Sequence, residues 1–442
     1  MYKRLNILKY SFAAILLSIP LFPKFPLIKM PQTQVSIRLE DFLILATSMI
    51  LLPMVLRKRK AYLDNRITRI ITIFLLVGLV STLSGILLTR TVILHIGVLH
   101  WLRRVEYLVV FFIAYEALKS KKDLGFYIKI LLITVLYAFL FGVGQKYFNL
   151  PVITTQNPEY AKGIALFFLP GSHLVSTFAG HYDLASYIVL TIPIFLGFVV
   201  AEGRTLKELR ITSDHLYTRI LFLGVVFFAY WLLINAASRI SIVGYLAAVV
   251  LVLLFLKKYA LVPVVVALSI GLTLFSSNLM DRYMRIINVG LERVALVGSV
   301  YAQDPKTARP MVFEDRSTSI RLNVEWPRAV RAFNKNPLLG TGYSSITLAT
   351  DNGFLRLLGE LGALGVWAFS LLMAAIYMKL FTFWRRAKKR DIYYYYTAGV
   401  LAAIPGVMIN MVFIDVLEAS KFAVMFWALT GLAVKSTELA KK

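Results

Sequence analysis

Long apolar segments, separated by short polar loops, recur along almost the whole chain. A helix of about 20 apolar residues can cross the hydrocarbon core of a bilayer, and about twelve such segments can be distinguished. With 59% hydrophobic and 16% charged residues, no water-soluble core could enclose all of them. The sequence therefore predicts an all-α polytopic membrane protein with about 12 transmembrane helices, near residues 7–23, 39–56, 68–88, 101–118, 124–148, 182–201, 219–236, 240–256, 259–276, 353–383, 393–413 and 421–436.

The charges of the loops predict the orientation of the chain. The basic clusters of the short loops all fall on one side, which the positive-inside rule makes cytoplasmic. We therefore expect a cytoplasmic (inner) membrane protein with both termini cytoplasmic. The N-terminus, MYKRLNILKYSFAAILLSIPLF, starts like a signal peptide but lacks a small-residue cleavage site, so it is predicted to be the first span. The clusters are Arg57 to Lys60 with Arg66 and Arg69, Lys119 with Lys121 and Lys122, the Arg204 to Arg219 loop, Lys257 with Lys258, and Arg385 to Arg390.

Composition and motifs exclude several classes of protein. The net charge of +26 lies in short clusters between apolar runs, which favours lipid headgroups over nucleic acid as partners. The absence of cysteine excludes disulfides, thiolate metal sites and a cysteine nucleophile. The histidines form no i,i+4 pair with a supporting carboxylate, and no Walker or GxGxxG motif is present. We expect neither a metal site, nor a cofactor, nor an ATP-driven pump.

Two outward segments, at about residues 149–180 and 277–352, are long enough to be more than connections. The larger one is rich in basic residues on the side where the positive-inside rule predicts depletion, which indicates an anionic ligand. No internal repeat or second domain is detectable, so residues 1–442 are predicted to form one membrane domain containing both loops. The basic residues of the larger loop are Arg282, Arg285, Arg293, Lys306, Arg309, Arg316, Arg321, Arg328, Arg331 and Lys335.

The strongest local pattern covers residues 319–369, SIRLNVEWPRAVRAFNKNPLLGTGYSS and then, after a short gap, TDNGFLRLLGELGALGVWAF. Apolar and basic residues at helical spacing predict an amphipathic helix on the outer membrane surface, and an Asn-Pro-Gly-rich turn then brings Asp351 to the mouth of the next span. Glycines in that span permit close helix packing, and Glu360 is a buried charge within it. The residues concerned are Arg321, Trp326, Ala329 and Phe333, the turn at Asn336, Pro337, Gly340 and Gly342, and Gly353, Gly359, Gly362 and Gly365.

Four segments in this order resemble the O-antigen ligase and polymerase family: RLED from Arg38, STFAGHYDLASYIVLTIP, NAASRISIVGYLA, and the region from Arg321 to Gly365. Members are membrane enzymes that extend or transfer bacterial glycans carried on undecaprenyl diphosphate. The resemblance covers most of the chain and implies a GT-C-like glycosyltransferase membrane fold, acting on the outer face without metal or nucleotide. The implied partners are a lipid-linked oligosaccharide donor and acceptor, membrane lipids and a chain-length regulator, with no nucleic acid.

By position, Arg239, Arg321 and Asp351 look like the three positions at which members of this family carry functionally important residues. The resemblance implies that the two arginines bind the departing diphosphate, since guanidinium groups fork onto phosphate oxygens, and that the Asp351 carboxylate takes the proton of the incoming hydroxyl. Arg239 could instead reach lipid headgroups or cap the preceding helix, and Asp351 could be the N-cap of the next span. Ligases that attach glycan to the lipid A core carry histidine where this chain has Asp351, whereas a DNG sequence is typical of polymerases. This favours a polymerase of O-antigen, capsule or exopolysaccharide, with a ligase or protein O-oligosaccharyltransferase as the alternative.

Further polar residues are candidates for binding diphosphate or sugar. Glu360 is expected to pair with a basic neighbour more readily than to react, and His181, Tyr182 and Asp183 begin a span, where a helix-start role competes with sugar contact. Arg103 and Glu106 at i,i+3 can pair on one face. A lipid flippase or transporter is the rival from another class, although it should place charges at the midplane. The binding candidates are Arg239, Arg321, Arg328, Arg104, His181, Asp183, Asn352 and Glu360.

Overall fold

A computed structural model describes residues 2–22, 26–29, 36–152, 168–169, 172–212, 214–274, 320–347 and 349–441. This part of the chain is helical throughout except for a two-stranded antiparallel ribbon, β1 and β2. The elements are α1 (Tyr2–Leu21), β1 (Pro26–Lys29), β2 (Ser36–Arg38), α2 (Leu39–Arg57), α3 (Arg59–Asp64), α4 (Arg66–Leu87), α5 (Leu94–Ala117), α6 (Lys121–Tyr147), α7 (His181–Val199), α8 (Gly203–Leu209), α9 (His215–Ala236), α10 (Arg239–Phe255), α11 (Leu261–Leu274), α12 (Trp326–Lys335), α13 (Gly353–Arg386), α14 (Ile392–Met411) and α15 (Ser420–Leu439), with a π-helical turn at Arg321–Glu325 and a 3-10 turn at Val416–Glu418.

Each predicted span coincides with one of these helices. Among the described residues, eight helices are long and apolar enough to cross a membrane, namely α2, α4, α6, α7, α9, α13, α14 and α15. Apolar stretches in α1, α10 and α11 are shorter, and α5 carries several charges. The prediction of an all-α polytopic membrane protein is thus confirmed, and the number of twelve crossings stays a prediction.

The centre of the bundle is formed by α7, α14 and α15. In each of them, 83% of the most apolar window is buried inside the protein. Helices α10 and α14 approach so closely that a Cβ on Gly244 would lie 2.6 Å from the carbonyl oxygen of Gly406. Asn410 in α14 donates a hydrogen bond of 3.0 Å to the hydroxyl of Ser186 in α7. This packing fixes the N-terminal end of α7, where His181 and Tyr182 lie.

Helix α13 is interrupted at Gly362, where φ is +64° and ψ is −166°. A backbone break inside a membrane must find other hydrogen bonds, because lipid offers none. The turn before α13 supplies them: Ala363 N–H donates to Pro337 O at 2.9 Å, and Gly342 N–H donates to Glu360 O at 2.8 Å. The prediction that Gly362 serves close packing within a continuous span is therefore incomplete, since this glycine also breaks the helix.

The same turn is wedged against α4. A Cβ on Gly85 would lie 2.3 Å from the Thr341 carbonyl oxygen, which also accepts a hydrogen bond of 2.7 Å from the hydroxyl of Thr91. The Asn336 side chain donates to the Ser84 hydroxyl at 3.1 Å. The predicted amphipathic helix is present as α12, and its C-terminal end is thus anchored between α4 and α13.

Candidate functional site

Arg321 and Asp351 form an ion pair at the N-terminal end of α13. Nε and Nη2 of Arg321 donate to the same carboxylate oxygen, Asp351 Oδ2, at 3.1 Å and 2.7 Å. The side chains are 11% and 26% exposed. Burial on its own would lower the pKa of Arg321, but the Asp351 carboxylate and Tyr182 outweigh burial and raise it. Two residues that are 30 positions apart, and that the sequence singled out separately, therefore meet.

Asp351 is not the N-cap of α13, so that alternative is wrong. The cap is Asn352, whose side-chain oxygen accepts from the N–H groups of Phe354 and Leu355 at 3.1 Å and 2.9 Å. Asp351 precedes the cap with φ of +47°, a left-handed conformation that aspartate tolerates better than most residues. Its carboxylate is consequently turned to Arg321 rather than to the helix start.

Asp415, in the connection between α14 and α15, holds the backbone on both sides of Asp351. Its carboxylate accepts the N–H of Thr350 at 2.9 Å and the N–H of Asn352 at 3.1 Å. Arg356 Nη1 donates to the same group at 3.1 Å. The left-handed turn at Asp351 is thereby fixed from behind by a buried ion pair. This role could not be predicted from the sequence, because Asp415 lies on a different loop.

A chain of rings continues from Arg321 towards α10. Arg321 Nη2 donates to the Tyr182 hydroxyl at 3.3 Å, and the His181 ring lies between the rings of Tyr182 and His173, with centroids 4.0 Å from each. Nδ1 of His173 is 3.1 Å from the carbonyl oxygen of Ala236, the last residue of α9. Arg239 is half-buried at the start of α10, only a few residues further on. His173 was not among the predicted site residues.

Four buried polar atoms near this pair have no hydrogen-bond partner within the described ranges. They are Glu325 Oε2, Trp326 Nε1, Arg328 Nη1 and Thr350 Oγ1. Since buried polar groups are normally paired, such atoms indicate a place for a polar ligand. Arg328 was predicted to bind substrate, whereas Glu325 was not, although it ends a π-helical turn of the kind often found at functional sites.

The charge of Asp351 affects the pKa of Glu325. Burial raises its pKa to about 7, with a further contribution from the Asp351 carboxylate, and Arg321 opposes both. The site therefore combines the Arg321–Asp351 pair with a second carboxyl group, that of Glu325, which exchanges its proton near pH 7.

Arg104 and Glu360, both predicted to bind substrate, lie in a separate network below this surface. Arg104 pairs with Glu418 and donates to Leu417 O at 3.1 Å, while Arg356 Nε lies 3.4 Å from Glu360 Oε1. These side chains line a cavity of about 60 Å³. The ion pair between Arg103 and Glu106 expected from their i,i+3 spacing is present at 2.9 Å, and Arg103 also contacts Asp41 at 2.6 Å. Arg356 and Asp415 connect this network to the Asp351 turn.

The remaining predicted residues can be located as follows. Asp183 lies half-buried in the first turn of α7, next to His181 and Tyr182. Residues 275–319 lie outside the described residues, as does most of the smaller loop. The basic residues predicted there are Arg282, Arg285, Arg293, Lys306, Arg309 and Arg316. Within the described part of the chain, no group of three or more His, Asp or Glu side chains could hold a metal ion.

The comparison with known families concerns the segment that carries this site. A family model described as O-antigen ligase matches residues 223–370, which include Arg239, Arg321 and Asp351. No curated protein sequence matches the chain. Over this segment, and on a multi-pass helical membrane fold, the chain is similar to the O-antigen ligase family, whose members are glycosyl-transferring enzymes that act on lipid-linked glycans.

Proposed function

We propose that the chain polymerises glycan repeat units carried on undecaprenyl diphosphate, at the outer face of the cytoplasmic membrane. The observation that carries this proposal is the Arg321–Asp351 pair beside buried polar atoms that find no hydrogen-bond partner among the described residues. A cation and a carboxylate together suit a reaction in which a phosphate leaves and a hydroxyl attacks.

In the proposed reaction, the acceptor hydroxyl oxygen bonds to the anomeric carbon as the bond from that carbon to the phosphate oxygen breaks. The polyprenyl diphosphate leaves with the electron pair, and Arg321 and Arg239 stabilise its charge. Arg321 uses Nε and Nη2 on Asp351, and no hydrogen bond from the described residues engages Nη1, which can therefore donate to a phosphate oxygen.

The hydroxyl proton passes to a carboxylate. Arg321 contacts Oδ2 of Asp351, and no contact within the described part of the chain engages Oδ1, so this oxygen is the one suited to take the proton. Glu325, whose pKa is raised to about 7 by burial and by Asp351, is a second group that can exchange the proton near neutral pH. Attack opposite the leaving group inverts the anomeric carbon.

The DNG sequence at residues 351–353 supports a polymerase over a ligase. A ligase or protein O-oligosaccharyltransferase would use the same donor with another acceptor. A flippase is less well supported, because the described charged side chains of this site lie at one end of the bundle, at the N-terminal end of α13.

The test is to incubate purified protein with lipid-linked repeat units, without ATP or nucleotide sugar, and to separate the products on a gel. We expect a ladder with the native sequence and none with Arg321→Lys or Asp351→Asn. The matched controls are Arg204→Lys on the exposed surface of α8 and Asp64→Asn on α3, which should retain the ladder. Transfer of a single glycan to an added acceptor would favour the ligase, and movement of labelled lipid between leaflets with no product would favour the flippase.

A further inference from the structure

A large basic cavity lies at the opposite end of the bundle from the Arg321–Asp351 pair. It has a volume of about 860 Å³ and opens between the starts of α4 and α14 and the ends of α13 and α15. Asp351 lies at the start of α13, so the length of this helix separates the two places. The cationic residues that line the cavity are Arg66, Lys379, Arg386, Lys388, Lys389 and Lys441.

Most of these cations are not paired with an acidic side chain among the described residues. Lys379 pairs with Glu438 at 2.6 Å, whereas the other five are exposed and have no ion-pair partner among the described residues. The one acidic residue that lines the cavity, Asp391, is engaged elsewhere. It caps α14 by accepting from Tyr393 and Tyr394 N–H groups, and it pairs with Lys121 at 3.0 Å. The cavity therefore has a strong net positive charge.

Helix dipoles account for only part of this charge. Arg386 ends α13, where a cation is favourable. Arg66, in contrast, is the first residue of α4, and Lys388 and Lys389 come just before α14, positions at which the helix dipole disfavours a cation. Cations at two helix starts are stabilised when an anion lies between them.

Part of the cavity wall is apolar. Ile67, Ala375 and Phe383 line it, and Met378 on α13 is 60% exposed. An apolar wall beside a group of cations matches a molecule with an anionic head and a hydrocarbon tail. Basic pockets between transmembrane helices bind anionic lipid headgroups by this arrangement.

We propose that this cavity is a binding site for an anionic phospholipid, with the phosphate among Arg66, Arg386 and Lys389 and an acyl chain along Met378. The site is independent of the glycan-transfer function proposed above. Its chemistry would also admit a free phosphate ion, so the test must separate the two sources.

The test measures binding to purified, detergent-solubilised protein by native mass spectrometry and by the shift of the thermal unfolding midpoint. The added probes are short-chain phosphatidylglycerol, short-chain phosphatidylcholine and inorganic phosphate. We expect binding of phosphatidylglycerol in preference to both others. Equal binding of phosphatidylcholine, or an equal shift with inorganic phosphate, would overturn the proposal.

The decisive variant is the triple substitution Arg66→Gln, Arg386→Gln and Lys389→Gln. Each basic group near an anionic headgroup contributes enough that three substitutions should weaken phosphatidylglycerol binding roughly a hundredfold. The matched control is Arg204→Gln, Lys207→Gln and Arg210→Gln, which removes the same charge from exposed positions on and beside α8 that do not line the cavity. An equal loss in the control would show binding to net charge alone. Should the triple variant not fold, Lys389→Gln alone, expected to weaken binding roughly fivefold, decides the question in the same way.

Discussion

Replacing Asp415 with asparagine should impair glycan transfer although Asp415 does not touch Asp351 directly. Its carboxylate accepts the Thr350 and Asn352 N–H groups at 2.9 Å and 3.1 Å and pairs with Arg356 at 3.1 Å. Asparagine keeps one acceptor oxygen, but its NH2 group, a donor, would face one of these two backbone N–H donors. The left-handed backbone at Asp351 then loses one of its two anchors.

The size of the effect follows from these contacts. A buried N–H left without a partner costs about 1–3 kcal/mol, and leaving Arg356 without a full charge partner adds a further penalty of similar size. We therefore expect Asp415→Asn to lower the free energy of unfolding by about 2–4 kcal/mol. A displacement of the Asp351 carboxylate by about 1 Å should reduce the rate of chain growth about 100-fold.

The assay is the initial rate of ladder formation at several donor concentrations, together with thermal unfolding in the same detergent. We expect kcat to fall while KM changes little, because Asp415 orients the pair and is not proposed to contact the donor. The control is Asp391→Asn, since Asp391 also accepts two backbone N–H groups and pairs with a cation, at the other end of the bundle. It should lose comparable stability and keep its activity. Wild-type kcat in folded Asp415→Asn would refute the positioning role.

Three other substitutions test the site and the fold. Glu325→Gln should be more stable than the native chain above pH 7. Burial raises the pKa of Glu325 in the folded protein to about 7, so the stability that the protonated Glu325 contributes is complete below the unfolded pKa and is lost as the pH rises through 7. Melting curves from pH 5 to 8 measure this difference. Gly362→Ala should abolish folded protein in size-exclusion chromatography, because φ is +64° and a Cβ would lie 2.5 Å from Gly340 N, whereas Gly224→Ala on α9, with open space around it, should fold normally. Tyr182→Phe removes the 3.3 Å hydrogen bond from Arg321 and should slow ladder formation about 5- to 10-fold, with an unchanged rate counting against a role for Tyr182.

The sequence was sufficient for the helices and insufficient for the breaks in them. Apolar runs identify each span because length and hydropathy are local properties. The residues that flank Gly362 in sequence are the same whether this glycine permits close packing of a continuous helix or interrupts it. The backbone hydrogen bonds from the turn at Pro337 are what favour the interruption. The predicted span begins near residue 101, whereas the helix that contains it, α5, begins at Leu94; His95 and His100 lie in the segment between these two points and lower its hydropathy.

Residues of the candidate site could be predicted where the type of side chain indicates its chemistry. They could not be predicted where the role depends on the folded geometry. Asp351 and Asn352 are adjacent and both suit a helix start, so the sequence could not decide which of them caps α13. The left-handed φ of Asp351 and the hydrogen bond from Phe354 N–H to Asn352 show that Asn352 is the cap. Arg104 has no neighbour in sequence that reveals its partner, since Glu418 is more than 300 residues away. Glu360 did have a visible partner four residues earlier, Arg356.

The geometry also changes what Asp351 is expected to do. Oδ2 of Asp351 already accepts two guanidinium hydrogen bonds, so Oδ1 is the oxygen left to take a proton among the described contacts. The same bonds hold Arg321 in one orientation, which a diphosphate needs. Orientation of Arg321 and proton acceptance through Oδ1 thus both depend on one residue. Glu325, which burial and Asp351 leave with a pKa of about 7, can share the second task, because a carboxyl group near its own pKa takes up and releases a proton at little cost.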